Sequence, residues 1–347
     1  MSEPWGDNEL RATFARLGFI TSCRTVTGLL RRAMKAAEIS DVTILLDGET
    51  GTGKQVLAQA IHKLDRKRSG FAFVTVHCST VTEALAESEL FGHRRGAFSG
   101  AIQDRKGLFQ SAHQGTLFLD DVNDLPASLQ PKLLDVIQRA TLRPVGSDHE
   151  IPIDVRIIAA CNQPLEPLVR EGRFRVDLYH RLNVVKLSLP PLRERPEDLG
   201  TLTLAFARRH DSLYQPIDTV DPELLTLLSA QGFPGNVREL ENTVQRMLFL
   251  KSEGSTLGIA DWRAQVDPEV LNAGHKLFAE AATAAWKAIS QCNVPYAEVF
   301  QEIEKRLLQV AFTTPGCTRR ELAQRLRTSE RTLYYKMRAH GIHEQIA

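Results

Sequence analysis

Gly48-Glu49-Thr50-Gly51-Thr52-Gly53-Lys54 has the glycine spacing of a loop that wraps phosphate. Small residues let successive backbone N–H groups converge on negative charge, and Lys54 supplies a cation for the β- and γ-phosphates. Downstream, the apolar run Thr116-Leu117-Phe118-Leu119 ends in Asp120 and Asp121. The first acid at such a strand end holds Mg²⁺, directly or through water, and the second orients an attacking water. The chemistry read from these residues is cleavage of a nucleoside triphosphate, with ATP and Mg²⁺ as cofactors. Gln55 stands where Ser or Thr commonly follows the lysine, so no hydroxyl contact to the metal is expected there.

A second set of residues says what the energy moves. Gly96-Ala97-Phe98-Ser99-Gly100-Ala101 lies between the phosphate loop and the acids. Gly96 and Gly100 permit unusual dihedrals and hinge motion. Phe98 offers apolar area for a transient protein contact, and glycines on both sides argue against a core position for it. Together the two sets read as a mechanical ATPase that grips another protein through an aromatic loop. Arg94 and Arg95 approach DNA or an acidic partner, or are simply solvated. His93 lacks a second ligand at metal-binding spacing.

The elements that must carry these residues follow from the apolar pattern. The runs Val42-Thr43-Ile44-Leu45-Leu46, Phe71-Ala72-Phe73-Val74-Thr75-Val76, Thr116-Leu117-Phe118-Leu119 and Val155-Arg156-Ile157-Ile158-Ala159-Ala160 alternate with helical patterns. Continuous apolar strands separated by helices imply an α/β domain with a parallel sheet covered on both faces. Pro190, Pro191 and Pro196 break the pattern, and a small helical lid is expected after them, to about Leu250. The expected organisation is a tail at 1–18, the nucleotide domain at 19–188, the lid at 189–252, spacer helices at 253–296 and a DNA module at 297–347. Val299, Phe300, Ile303, Leu307 and Val310 recur at helical spacing. Thr318-Arg319-Arg320-Glu321 is a capping box, and Ser329 caps a second short helix, an arrangement that reads as helix-turn-helix. Residues 313–341 carry seven Lys/Arg and two Asp/Glu, a net +5, against +1 for the whole chain of 347 residues. A basic end on a mildly acidic body points to a local contact with double-stranded DNA.

Composition excludes other classes. Hydrophobic residues make up 43%, and no apolar run approaches the roughly 20 residues that span a bilayer. The N-terminus is polar and unlike a signal peptide. Cys23, Cys78, Cys161, Cys292 and Cys317 are scattered, as expected of reduced thiols in a cytoplasmic protein without membrane contact.

These motifs resemble the AAA+ bacterial enhancer-binding proteins that activate sigma-54 RNA polymerase, whose loop usually reads Gly-Ala-Phe-Thr-Gly-Ala. The resemblance covers about residues 19–250 and 299–342 and includes Glu87-Ser88-Glu89-Leu90-Phe91-Gly92-His93. It implies a P-loop AAA+ domain and helical lid followed by an all-α Fis-like domain, with residues 96–101 touching sigma-54. It implies that Asn162 senses the γ-phosphate, that Arg175 and Arg181 are fingers acting on the neighbouring subunit, and that Arg238 is the lid's phosphate sensor. Asn236 and Glu239 would form the cap of the helix that carries Arg238. Fingers in trans imply a hexamer, of one chain or two. Arg331, Thr332, Tyr335 and Lys336 would face DNA, although Arg327 occupies a turn position where the family commonly has Gly.

Two departures bear on rate. The family places Glu at Asp121 and Asn at His77. Either His77 and Asp121 form a re-matched switch pair or the ATPase is weakened. About 18 residues precede the ATPase domain, too few for a sensing domain, so control by a separate regulatory protein, a partner subunit or expression level is expected. Two other readings stay open: a DNA-binding co-activator or repressor with a decayed ATPase, and an AAA+ remodelling chaperone with no promoter role.

Overall fold

The computed structural model describes residues 5–79, 83–209, 216–251, 254–266, 283–285, 287, 290–291, 295–313, 323, 333, 336–338, 340 and 342. Its centre is a parallel five-stranded sheet. The strands in chain order are β1 (Ile44–Asp47), β2 (Phe73–His77), β3 (Thr116–Asp120), a two-residue pair β4 (Thr141–Leu142) and β5 (Ile151–Pro152), β6 (Arg156–Cys161) and β7 (Val185–Ser188). The large sheet runs β2-β3-β6-β1-β7. Four of its strands fall within two residues of the expected apolar runs. The edge strand β7, in which Lys186 and Ser188 alternate with Val185 and Leu187, and the β4–β5 pair were not anticipated.

Alternation along each strand divides the core in two. Ile44, Leu46, Phe118, Ile158 and Leu187 face α1 (Asp7–Arg16), α2 (Arg24–Glu38) and α3 (Lys54–Leu64). Leu45, Leu117, Leu119, Ile157 and Ala159 face α4 (Glu83–Phe91), α5 (Leu108–Ser111), α6 (Gln130–Arg139), α7 (Leu165–Arg170) and α8 (Val176–Leu182). Burial on both faces is what continuous apolar strands require.

At the N-terminal end of β6 a buried ion pair ties the sheet to the end of α3 and to α2. Arg156 donates to Asp65 Oδ2 at 2.6 Å and to Ala36 O at 2.6 Å, and both side chains of the pair are 0% exposed. Burial alone would raise the Asp65 carboxyl, but bonds from Ser40 and Arg156 hold it below its ordinary value. Arg156→Ala leaves that carboxylate buried without its cation, and we expect a loss of about 3–5 kcal/mol, read from the chemical denaturation midpoint. Because the folded-state pKa is lowered, the pair's contribution is full above the unfolded carboxylate value and fades as pH falls through the folded one.

The lid comprises α9 (Asp198–Arg209), β8 (Thr219–Val220), α10 (Pro222–Ser229), α11 (Asn236–Leu250), β9 (Thr256–Leu257) and α12 (Ile259–Val266). Leu257 is buried in its core, with Ile259 and Trp262 packed against it. The lid therefore continues past the boundary expected at 252, because the apolar residues beyond it close the core under α11.

Near the C-terminus, a helix at Tyr296–Thr313 places Leu308 in a small cluster with Ala323, Leu333 and Met337. Arg331, Thr332 and Tyr335 lie outside the described residues. Lys336, expected to face DNA, pairs with Glu304, which also bonds His340 Nε2 at 2.9 Å. Among the described residues, no helix is long and apolar enough to cross a membrane.

Candidate functional site

The C-terminal ends of the parallel strands carry the polar residues. β1 delivers the phosphate loop and α3 begins at Lys54. Gly51 has φ of 80°, and a Cβ there would stand 2.2 Å from Gly235 O, so only glycine admits the lid's close approach. Lys54 is buried, and its Nζ donates to Gly48 O at 2.6 Å and Glu49 O at 3.0 Å. Burial lowers its pKa, opposed by the charges of Asp121 and Asp120.

Lys54, Gln55, Asp120, Asp121 and Arg238 border one cleft. The Asp120 carboxyl is raised by burial and then by Asp121 beside it. Two crowded carboxylates facing a buried lysine suit a divalent cation accompanied by phosphate oxygens. A lysine at the head of α3 beside two acids in one cleft is a donor set that fits ATP and Mg²⁺.

His77, expected to pair with Asp121, lies beside the preceding acid. In register, His77 stands opposite Asp120, and its Nδ1 lies 3.4 Å from Asp120 Oδ2. Strand pairing aligns the last residues of β2 and β3, whereas Asp121 has already turned away with φ of 53°. Asn162 follows β6, and its N–H donates to Asn123 Oδ1 at 3.2 Å in the turn after Asp121. Thus the backbone at Asn162 is tied to the turn after the acids.

The lid reaches the cleft differently from the sequence expectation. Helix α11 starts at Asn236, and Gly235 is its N-cap with no side-chain cap. Glu239 accepts from Gly235 N at 2.8 Å, so the glutamate half of the expected box is made to a different residue. The Asn236 side chain instead bonds the phosphate loop, because its φ of 55° turns it away from the helix. Two arginines of the proline-rich segment, unassigned from sequence, also grip the loop. Arg193 donates to Glu49 at 2.7 and 2.9 Å, and Arg195 to Thr52 O at 2.8 Å. The only sequence signal for these was the charge packed between Pro191 and Pro196.

Residues 94–104 project from a stem in which His93 and Arg105 exchange backbone bonds of 2.9 and 3.0 Å. Arg94 and the Arg95 N–H both bond Asp104, closing the base. Gly96 N donates to Ala101 O at 2.8 Å, and Ala101 N to Phe98 O at 3.0 Å. Gly96 and Gly100 have φ of 83° and 106°, which the chain needs to fold back within six residues. Ala101 is buried, whereas Phe98 is 41% exposed and rests edge-on against the His93 ring, centroids 4.9 Å apart.

Residues 19–188 match the sigma-54 interaction domain, and residues 193–276 the AAA+ ATPase lid domain. The chain belongs to the sigma-54-interacting AAA+ family. It is 40% identical over 305 residues to the regulatory protein AtoC of Escherichia coli K12, covering 88% of this chain and 64% of that protein. The Nif-specific regulatory protein of Bradyrhizobium diazoefficiens is 40% identical over 299 residues, covering 86% of this chain and 49% of its own. The chain thus spans less than two thirds of these curated relatives. A crystal structure of Brucella abortus NtrX in complex with ATP superposes with a TM-score of 0.64 at 28% identity, over 93% of this chain and 69% of that one.

In this sigma-54-interacting AAA+ chain the two candidate fingers sit on or beside α8. Arg175 makes a two-pronged pair with Asp177 at 2.8 and 3.1 Å, the local alternative to a phosphate contact. Arg181 donates to Ile137 O at 3.1 Å. Neither borders its own chain's cleft. Burial pushes the Cys78 and Cys161 thiols up to about 12, so both behave as packing groups near the site.

Proposed function

We propose that this chain is an ATP-driven activator of sigma-54 RNA polymerase. It works as a hexameric ring, binds upstream DNA through its C-terminal helix-turn-helix, and presses residues 96–101 onto the closed complex. The observation that carries this reading is the half-exposed Phe98, on a glycine-hinged loop of the same domain that gathers Lys54, Asp120, Asp121 and Arg238 around one cleft. Lys54 leaves its two loop carbonyls for the phosphates, Asp120 holds the cation, and Asp121 orients water. When bound, ATP would supply the phosphoanhydride bond whose cleavage drives the motion, and magnesium would offset the charge on its phosphates. Arg175 and Arg181 of one protomer would exchange Asp177 and Ile137 O for the phosphate of the next, where a forked guanidinium matches spread charge.

His77 beside Asp120 favours a second reading, a DNA-binding regulator with slowed ATP turnover, because an imidazole there competes with the cation for one carboxylate oxygen. Open-complex formation at a sigma-54 promoter with purified polymerase, read as promoter melting before any RNA is made, tests both. We expect melting only when this protein and hydrolysable ATP are present together. No melting despite DNA binding would favour the second reading, and melting without ATP would refute the first.

A further inference from the structure

Asn236 is fully buried and has no part in the chemistry assigned so far. Its side chain nevertheless joins three segments. The Oδ1 accepts from Leu192 N at 2.7 Å. The Nδ2 donates to Glu49 Oε2 at 3.1 Å, Thr50 O at 3.0 Å and Pro234 O at 3.3 Å. The next residue continues the junction, with Val237 N donating to Gly51 O at 3.0 Å. Arg238, one residue further, enters the cleft.

The phosphate loop and the first turn of α11 are thus docked directly, side chain and backbone. Glu49 sits at the crossing. It accepts from Arg193 and Asn236 on its carboxylate, while its carbonyl accepts from Lys54 Nζ. Lys54 must leave that carbonyl to reach a phosphate. A change at Lys54 therefore acts on a residue already tied to α11.

We propose that Asn236 is a positioning residue for ATP hydrolysis, setting where Arg238 stands relative to the phosphate loop and passing the loop's state to the lid. This rests on the nucleotide reading of the cleft. An Asn at φ of 55° suits the task, because Asn tolerates left-handed backbone and presents donor and acceptor together.

Two variants keep that backbone. Asn236→Gly accepts the dihedral and removes the side chain. Asn236→Asp keeps shape and dihedral but turns the Nδ2 donor into a charge facing Glu49. Adding Glu49→Gln to the latter returns a donor to the junction. The readouts are kcat for ATP, the dissociation constant for a fluorescent ADP, the melting transition, and amide hydrogen exchange at Val237 and Arg238 with and without ADP.

A misplacement of about 1 Å costs on the order of 100-fold in rate, so we expect kcat to fall roughly 10- to 100-fold in both single variants. In Asn236→Gly, ADP affinity should stay within about threefold, since the loop's phosphate donors are untouched. ADP should slow exchange at Val237 and Arg238 in the unsubstituted protein and not in Asn236→Gly. The double variant that combines Asn236→Asp with Glu49→Gln should recover turnover by at least about threefold over Asn236→Asp alone.

A folded Asn236→Gly protein with kcat within about twofold of the original, or unchanged ADP-dependent exchange, overturns the proposal. So does a variant that fails only by losing its fold, or a double variant no better than the single. If the unsubstituted protein neither binds ADP nor hydrolyses ATP, the nucleotide reading falls and the inference with it. Normal nucleotide chemistry with an indifferent Asn236 sinks the inference alone.

Discussion

Asp121→Ala is expected to lower kcat for ATP roughly 10²- to 10³-fold, within the range of a lost water-positioning carboxylate. The argument is geometric. Asp121 borders the cleft with Lys54 and Asp120, and its φ of 53° carries the chain out of β3 into a short turn. Removing its carboxylate leaves the glycine loop, Lys54 and Asp120 in place, so nucleotide affinity should stay within about threefold. Steady-state turnover beside ADP titration separates the two effects. Asp121→Glu adds the methylene that the family carries. Its side chain reaches further, but left-handed backbone suits Asp better than Glu. A gain in turnover would mean that the short carboxylate holds the wild-type rate down. If wild type turns over no faster than Asp121→Ala, then Asp121 does not position water at all.

The sequence and the structure agree where the signal is local. The phosphate loop is legible because glycine spacing and one lysine specify it within seven residues, and the apolar runs mark β1, β2, β3 and β6 because both faces of those strands are buried. β7 escapes because Lys186 interrupts it to pair with Asp47 at 3.2 Å and Glu166 at 3.0 Å. The lid junction escapes for a different reason. Gly235-Asn236-Val237-Arg238-Glu239 has the composition of a helix cap, and nothing nearby says that the asparagine serves a loop 187 positions away. Arg193 lies 144 positions from Glu49. Together with Asn236 it depresses the Glu49 carboxyl to about 2, a shift created entirely by tertiary contact. His77 is a mixed case. Its departure from the family residue was visible, but only strand register showed that it stands opposite Asp120.

Phe98→Ala should abolish activation while sparing the ATPase. The ring is 41% exposed on the free protein and meets His93 edge-on. Such an aromatic contact is worth about 0.5–1.5 kcal/mol, so leaving it for a partner surface costs little. The gain on the partner is larger, because truncating an aromatic anchor at an interface commonly costs about 2–4 kcal/mol, or roughly 30- to 1,000-fold. We therefore expect open-complex formation by sigma-54 polymerase to drop about 100-fold or more. ATP turnover should remain within about threefold, since the loop does not border the cleft. Phe98→Leu retains apolar volume without the ring and should fall between the two. Ser99→Thr adds a methyl next to the ring and should not lower activation, because the hydroxyl stays. Promoter melting measured by permanganate reactivity, alongside phosphate release, reads both effects in one preparation. Equal losses of melting and phosphate release would place Phe98 in the fold of the domain rather than at its contact with polymerase. Undiminished melting would leave the loop without the role that its exposure and hinges suggest.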